Sequence, residues 1–180
     1  MLKFRGSAWN RIGGANVPLW RRVLVGRNPR RTLLRAAALG LTVFVVLRYV
    51  VTPVRVQGIS MWPTCRDGQW AWVNRLAYVW SEPRRGDVVC VRFTAGEHVM
   101  LLKRVVGLPG ERVGFRNGRL HVDGRPLDEP YVKSPCDWEE PERVLGPGEY
   151  YVVGDNRAMP REDHVHGIAE RWRIVGKLIR

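Results

Sequence analysis

Ser60 stands between a glycine and a proline in Gly58-Ile59-Ser60-Met61-Trp62-Pro63-Thr64, just after an apolar segment. Gly58 admits close backbone approach, and Pro63 forces Trp62 into an extended conformation, so Ser60 belongs to a rigid turn outside any helix. A hydroxyl held on such a turn suits acyl transfer, provided that a base can take its proton. A Ser-x-x-Pro by itself is usually an ordinary surface loop, so the reading depends on finding that base.

Arginine is the preferred cation of this chain, with 26 copies against four lysines, Lys3, Lys103, Lys133 and Lys177. A guanidinium keeps its proton in a protein, whereas a desolvated lysine gives it up. Lys103 lies in Val99-Met-Leu-Leu-Lys-Arg-Val-Val106. If that run is a strand, alternation puts Lys103 on the face of Leu101 and Val105, with Arg104 opposite. Lowering a lysine from ~10.4 toward ~7 takes roughly 4–5 kcal/mol, which burial can supply. A lysine that snorkels from an edge strand would stay an ordinary ammonium.

The elements that must position this pair follow from charge and hydropathy. Residues 1–66 hold twelve Lys and Arg and no acid, which leaves eighteen bases against seventeen acids in residues 67–180. The net charge of +13 is therefore a property of the N-terminal arm, and a basic nucleic-acid face on the folded domain is not expected. Residues 1–31 read as a basic, disordered cytoplasmic tail. Residues 32–52 read as an uncleaved transmembrane anchor, since Leu33 to Val51 as a helix would reach roughly 28 Å. Nine bases at or before Arg35 put the N-terminus on the cytoplasmic side, with Ser60 emerging on the other.

Residues 53–180 read as one mainly antiparallel β domain, a partly closed barrel or sandwich. Trp70–Val73, Val88–Phe93 and Tyr150–Val153 are strand-like runs, and Asn117-Gly118 and Asp123-Gly124 are hairpin dipeptides. A longer excursion is expected around Pro135–Glu149, and a turn of helix at Leu76–Trp80. The period-2 spacing of Trp70 and Trp72 reads as a core pair, whereas Trp62 beside the serine reads as a residue for the bilayer interface. Cys90 reads as core. In an oxidising compartment, Cys65 and Cys136 are the pair to expect.

Three segments in this order behind one anchor resemble the type I signal peptidases, including the mitochondrial inner-membrane branch. They are Gly58-x-Ser60-Met61-x-Pro63-Thr64, then Lys103-Arg104-Val-Val-Gly107-Leu-Pro109-Gly110-Glu111, then Gly154-Asp155-Asn156-Arg157. Smaller likenesses are Arg85-Gly86-Asp87-Val88-Val89, Leu120-His-Val-Asp-Gly124, Glu129-Pro-Tyr131 and Ile174-Val-Gly176-Lys177. The resemblance implies a Ser–Lys dyad without metal or cofactor. Ser60 would be nucleophile and Lys103 general base. The backbone at Ser60 and Gly58 would serve the oxyanion, with no side-chain hydroxyl at Gly58. Asp155, Asn156 and Arg157 would support the dyad. The implied partners are preprotein signal peptides, bound as extended strands with small residues before the cut, and the lipid bilayer. The implied location is the bacterial cytoplasmic membrane, with the mitochondrial inner membrane as the alternative.

One stretch departs from that family. After the Gly-Asp-Asn-Arg turn its members show a serine that orients the lysine, then Asp-Ser-Arg, whereas this chain reads Ala158-Met-Pro160-Arg-Glu162-Asp163-His164-Val-His166-Gly167. Asp163 and His164 are the candidates to replace the serine. The same run leaves other readings open: a Ser–His–Asp triad with Ser60, a metal-dependent hydrolase using His164 and His166, or an anchored β domain that binds partners after losing catalysis.

Overall fold

The structure, a computed structural model, describes residues 29–92, 100–134 and 136–179. The basic tail up to residue 28 lies outside the described residues, as do Val99 and Pro135. The chain divides into two compact units, Met1–Phe44 and Val45–Arg180. Helix α1, Pro29–Val45, runs on into a π-helical turn, Val46–Val50, which passes directly into strand β1, Val51–Arg55. Apolar side chains of α1 such as Leu33, Leu39 and Phe44 are exposed.

The second unit is built from two antiparallel sheets. The larger contains β1, β2 (Trp70–Asn74), β3 (Val88–Arg92), β4 (Met100–Gly107), β9 (Glu149–Val153), β10 (Gly167–Glu170) and β11 (Ile174–Ile179), in the order β1-β2-β11-β3-β4-β9-β10. The smaller contains β5 (Arg112–Arg116), β6 (Arg119–Val122), β7 (Arg125–Pro126) and β8 (Glu140–Val144), in the order β7-β6-β5-β8. Both expected hairpin dipeptides form turns, with Asn117, Gly118, Asp123 and Gly124 all at positive φ, the backbone of a two-residue hairpin loop. Val106, Val113, Phe115, Leu120, Tyr151 and Val153 form the core cluster in which strands of the two sheets meet.

The excursion after Pro135 contains β8, which pairs with β5 and closes the smaller sheet. Its sequence, Glu140-Pro-Glu-Arg-Val, has little apolar alternation to reveal it. Leu76–Trp80 is a turn and not a helix. Trp70 and Trp72 are not core: they are 67% and 47% exposed, while Ala71 and Val73 between them are buried. Period 2 separates two faces of a strand without saying which is inside, and here the small residues fill the tight space. The Cys65–Cys136 pair does not form. Cys65 is buried with Val56 and Met61, whereas Cys136 donates its thiol proton to the Gly118 carbonyl.

Candidate active site

Three backbone segments converge on Ser60. The turn after β1 carries the serine, and Gly58 there sits at φ +87°, a conformation that side chains disfavour. Asp67 accepts the Gly58 N–H at 2.8 Å, so that amide is already engaged, while the Ser60 N–H finds no acceptor among the described residues. The turn after β9 holds the serine from behind. The Asn156 N–H donates to the Ser60 carbonyl at 3.0 Å, and its side-chain amide donates to the Ile59 carbonyl at 3.1 Å. Gly154 is packed so closely that a Cβ there would collide with the Ser60 carbonyl oxygen and lie 2.5 Å from His164 Nε2.

Strand β4 supplies the third segment. Lys103 and Arg104 are 2% and 4% exposed. The Arg104 guanidinium grips Asp155 in a two-point ion pair, Nε to Oδ1 at 2.8 Å and Nη2 to Oδ2 at 2.6 Å. Its third nitrogen donates to the Gly86 carbonyl at 2.7 Å, and its plane lies 3.8 Å from the Tyr131 ring centroid. Thr64, at the end of the serine turn, donates its hydroxyl to the same Asp155 carboxylate. Arg157 works in parallel, donating to the Gly154 carbonyl at 2.9 Å and to both oxygens of Glu129. Asp155, Asn156 and Arg157, named from the sequence as one support motif, thus hold different partners: β4, the serine turn and the loop after β7.

Burial pushes the Lys103 amine down to about 8, and the nearby Asp155 carboxylate partly opposes the shift. That is a milder fall than the value near 7 that sequence reasoning set as the requirement. His164 is buried, and desolvation followed by the Lys103 charge lowers it to about 3, so its ring is neutral at working pH. Its Nε2 accepts the Gly154 N–H at 2.9 Å. His166 instead bonds Glu140 at 2.7 Å and stacks on Trp138. Burial opposes ionisation of Glu140, yet hydrogen bonds with His166, Tyr151 and Arg161 pull its carboxyl down to about 2. Both histidines are thus committed to internal bonds. Among the described residues, no group of three or more side chains gathers as metal ligands.

Beside Ser60 lies a cleft of about 460 Å³, flanked by residues 53–58 on one side and Met100–Leu102 on the other, with Cys90 in its wall. β9 pairs with β4 only from Arg104 to Gly107, and β1 is an edge of its sheet. The cleft is therefore walled by two strands whose facing edges have open backbone groups.

A conserved-sequence description of signal peptidases, peptidase S26, matches residues 30–179, which contain all three of these segments. The chain belongs to the signal peptidase family, peptidase S26. Signal peptidase IB of Staphylococcus aureus is 33% identical over 153 residues, covering 75% of this chain and 79% of its own. Signal peptidase I of Leptolyngbya laminosa is 34% identical over 151 residues, covering 79% and 71%. A crystal structure of signal peptidase I from Enterococcus faecalis aligns at 23% identity with a TM-score of 0.46, covering 55% of this chain and 98% of that one. As a signal peptidase, this chain is a peptidase that removes signal peptides.

Sequence reasoning quoted Arg104 and Thr64 without assigning them a role. A basic residue beside a candidate base, and an aspartate in a distant motif, were the available signals. In this signal peptidase, Asp155→Asn removes the counter-charge of a buried guanidinium and is expected to cost about 3–5 kcal/mol, read as a lower Tm in detergent. Adding Arg104→Met should recover part of that loss, whereas simple addition of the two losses would contradict a coupled pair.

Proposed function

We propose that this signal peptidase cleaves by a Ser–Lys dyad in which Ser60 is the nucleophile and Lys103 the general base. The observation that carries the reading is a buried lysine, lowered to about 8, whose neighbour Arg104 is bonded to Asp155 in the same turn that locks Ser60 from behind through Asn156. The shift from 10.5 to about 8 corresponds to roughly 3 kcal/mol against the ammonium. A peptide docked over the amine would exclude more water and lower it further. Neutral Lys103 takes the Ser60 proton as Oγ attacks the scissile carbonyl carbon. The Ser60 N–H stabilises the oxyanion; Gly58, whose amide is bound to Asp67, contributes conformation instead. The Lys103 ammonium then protonates the departing amine as the peptide bond breaks. In the second half Lys103 takes a proton from water, the hydroxide attacks the ester, and the ammonium returns a proton to Ser60.

The substrate in this reading is a preprotein whose signal peptide lies extended in the cleft, pairing its backbone with the open edges of β1 and β4. Met61, Cys90 and Leu102 line the cleft beside Ser60, and the residues this reading expects before the cut are small. The helix over Arg30–Val50, 21 residues whose most apolar 18-residue stretch has a mean hydropathy of 1.8, would be the single membrane anchor. The excess of bases before it orients the N-terminus to the cytoplasm. We place the protein in a bacterial cytoplasmic membrane, because the curated relatives come from Staphylococcus aureus and Leptolyngbya laminosa. Ile59 and Trp62 are 54% and 47% exposed beside Ser60, and Trp62 is the residue we assign to the lipid interface.

Ser60→Ala, Lys103→Ala and Lys103→Arg should each abolish processing of a preprotein without unfolding the enzyme, and an active Lys103→Arg variant would refute the dyad. For the parent enzyme, log kcat/KM should rise with unit slope as pH increases and level off near pH 8, because protonation disables the base. A profile still climbing at pH 10 would contradict the assignment. In a series varied just before the cut, alanine and glycine should be processed, and efficient cleavage after leucine or phenylalanine would contradict the preference for small residues. A variant keeping Trp62 as its one tryptophan should blue-shift in vesicles and be quenched by brominated lipid, whereas a water-like spectrum there would remove Trp62 from the interface.

A further inference from the structure

No serine, threonine or tyrosine occurs between Ala158 and Arg180, so no hydroxyl in the loop after the Gly154-Asp155-Asn156-Arg157 turn can orient the Lys103 amine. Asp163, one of the two candidates for the task, is exposed. The other, His164, is 2% exposed and sits against Gly154, the residue that touches the Ser60 carbonyl.

The tautomer of His164 follows from its bond. The Gly154 N–H donates to Nε2, so a neutral ring carries its proton on Nδ1. Nδ1 is the one buried side-chain nitrogen or oxygen among the described residues with no hydrogen-bond partner in the protein. A buried donor left in that condition costs about 1–3 kcal/mol, so such groups normally hold something. The Asn156 main chain approaches the ring, and three cationic or titratable groups act on it: Lys103, His166 and Arg157. His166 Nε2 is engaged by Glu140, and Arg157 by Gly154 and Glu129. The Lys103 amine alone of these has no hydrogen-bond partner among the described residues, and its nitrogen keeps a small contact with solvent. Both Nδ1–H and a neutral amine's N–H groups are donors, so they cannot satisfy each other by those hydrogens. One water molecule can accept from both.

We propose that His164 is the positioning residue of the dyad: Nε2 clamps the Gly154 turn, and Nδ1–H holds a buried water that accepts an N–H of Lys103. With an N–H fixed in that direction, the amine lone pair is left facing Ser60. The arrangement also tolerates no second positive charge, which keeps His164 a neutral donor while Lys103 cycles between amine and ammonium. This inference rests on the Ser60–Lys103 reading.

The two ring nitrogens can be separated in the full-length enzyme in detergent. Gln reproduces an acceptor near Nε2 and Asn a donor near Nδ1. His164→Gln should keep Tm close to the parent while kcat falls by about 10- to 100-fold with little change in KM. His164→Asn should lose Tm and yet retain a higher kcat than His164→Gln when assayed well below its melting point. Histidine 15N shifts in the parent should show a neutral ring protonated at Nδ1 down to about pH 5. Parental kcat in His164→Gln, a lower kcat in His164→Asn than in His164→Gln, or a His164 that titrates near 6.5 would each overturn the proposal. If His164→Gln does not fold, the NMR tautomer and the kcat of His164→Asn decide it. Lys103→Ala is the control: retained cleavage there would overturn the dyad itself, whereas parental kcat in His164→Gln beside an inactive Lys103→Ala would overturn the water-holding role alone.

Discussion

A guanidinium and a carboxylate withdrawn from water together, Arg104 and Asp155, join everything that must stay in register around Ser60. Their two-point contact ties β4 to the turn after β9, Thr64 brings in the end of the serine turn, and the Gly86 carbonyl brings in the loop before β3. Neither ion could be buried without the other, because an isolated charge there would cost several kcal/mol. The pair also sets the electrostatics of its neighbour. Arg104 never gives up its proton and Asp155 is already engaged by it, so Lys103 gains only partial support for an ammonium. Burial then wins, which is why the amine falls to about 8 and not further.

Around this pair, geometry is kept by close backbone contact more than by flexible side chains. Gly154 permits the β9 turn to touch both the Ser60 carbonyl and the His164 ring, a contact that any Cβ would prevent. Asn156 then grips the serine turn at two successive carbonyls, and Arg157 anchors the far side of the same turn to Glu129. In the proposed dyad, a serine fixed by its own main chain keeps its hydroxyl and its N–H free for substrate. That division of labour is what an acyl-transfer site requires, since the groups that react cannot also be structural ties.

Much of this was legible in the sequence where the signal is local. Asn117-Gly118 and Asp123-Gly124 specify hairpins because both residues must adopt positive φ, and the turns are there. The strand at Val88 and the strand ending at Val153 carry enough apolar residues to declare themselves. Lys103 was singled out by the chain's avoidance of lysine and by its apolar neighbours, and its burial agrees. What escaped depended on partners far away in the chain. Strand β8 is polar and pairs only because β5 offers an edge, and Trp70 and Trp72 face outward because Ala71 and Val73 fill the tight inner face. The bond from Arg104 to Asp155 spans 51 residues, and no local pattern announces it. The burial of His164 was not legible either, since nothing in Arg161-Glu-Asp-His-Val-His indicates that one histidine turns inward.

The central claim is that folding holds Lys103 poised to be neutral at the site of Ser60. The chain's four lysines make it directly accessible to 13Cε-lysine NMR in detergent micelles, with Lys103 assigned from the signal that vanishes in Lys103→Arg. The account expects that signal to titrate near 8 in the folded enzyme and to move to the ordinary value of about 10.4 on unfolding. A Lys103 resonance that titrates above about 10 in the native protein would contradict it.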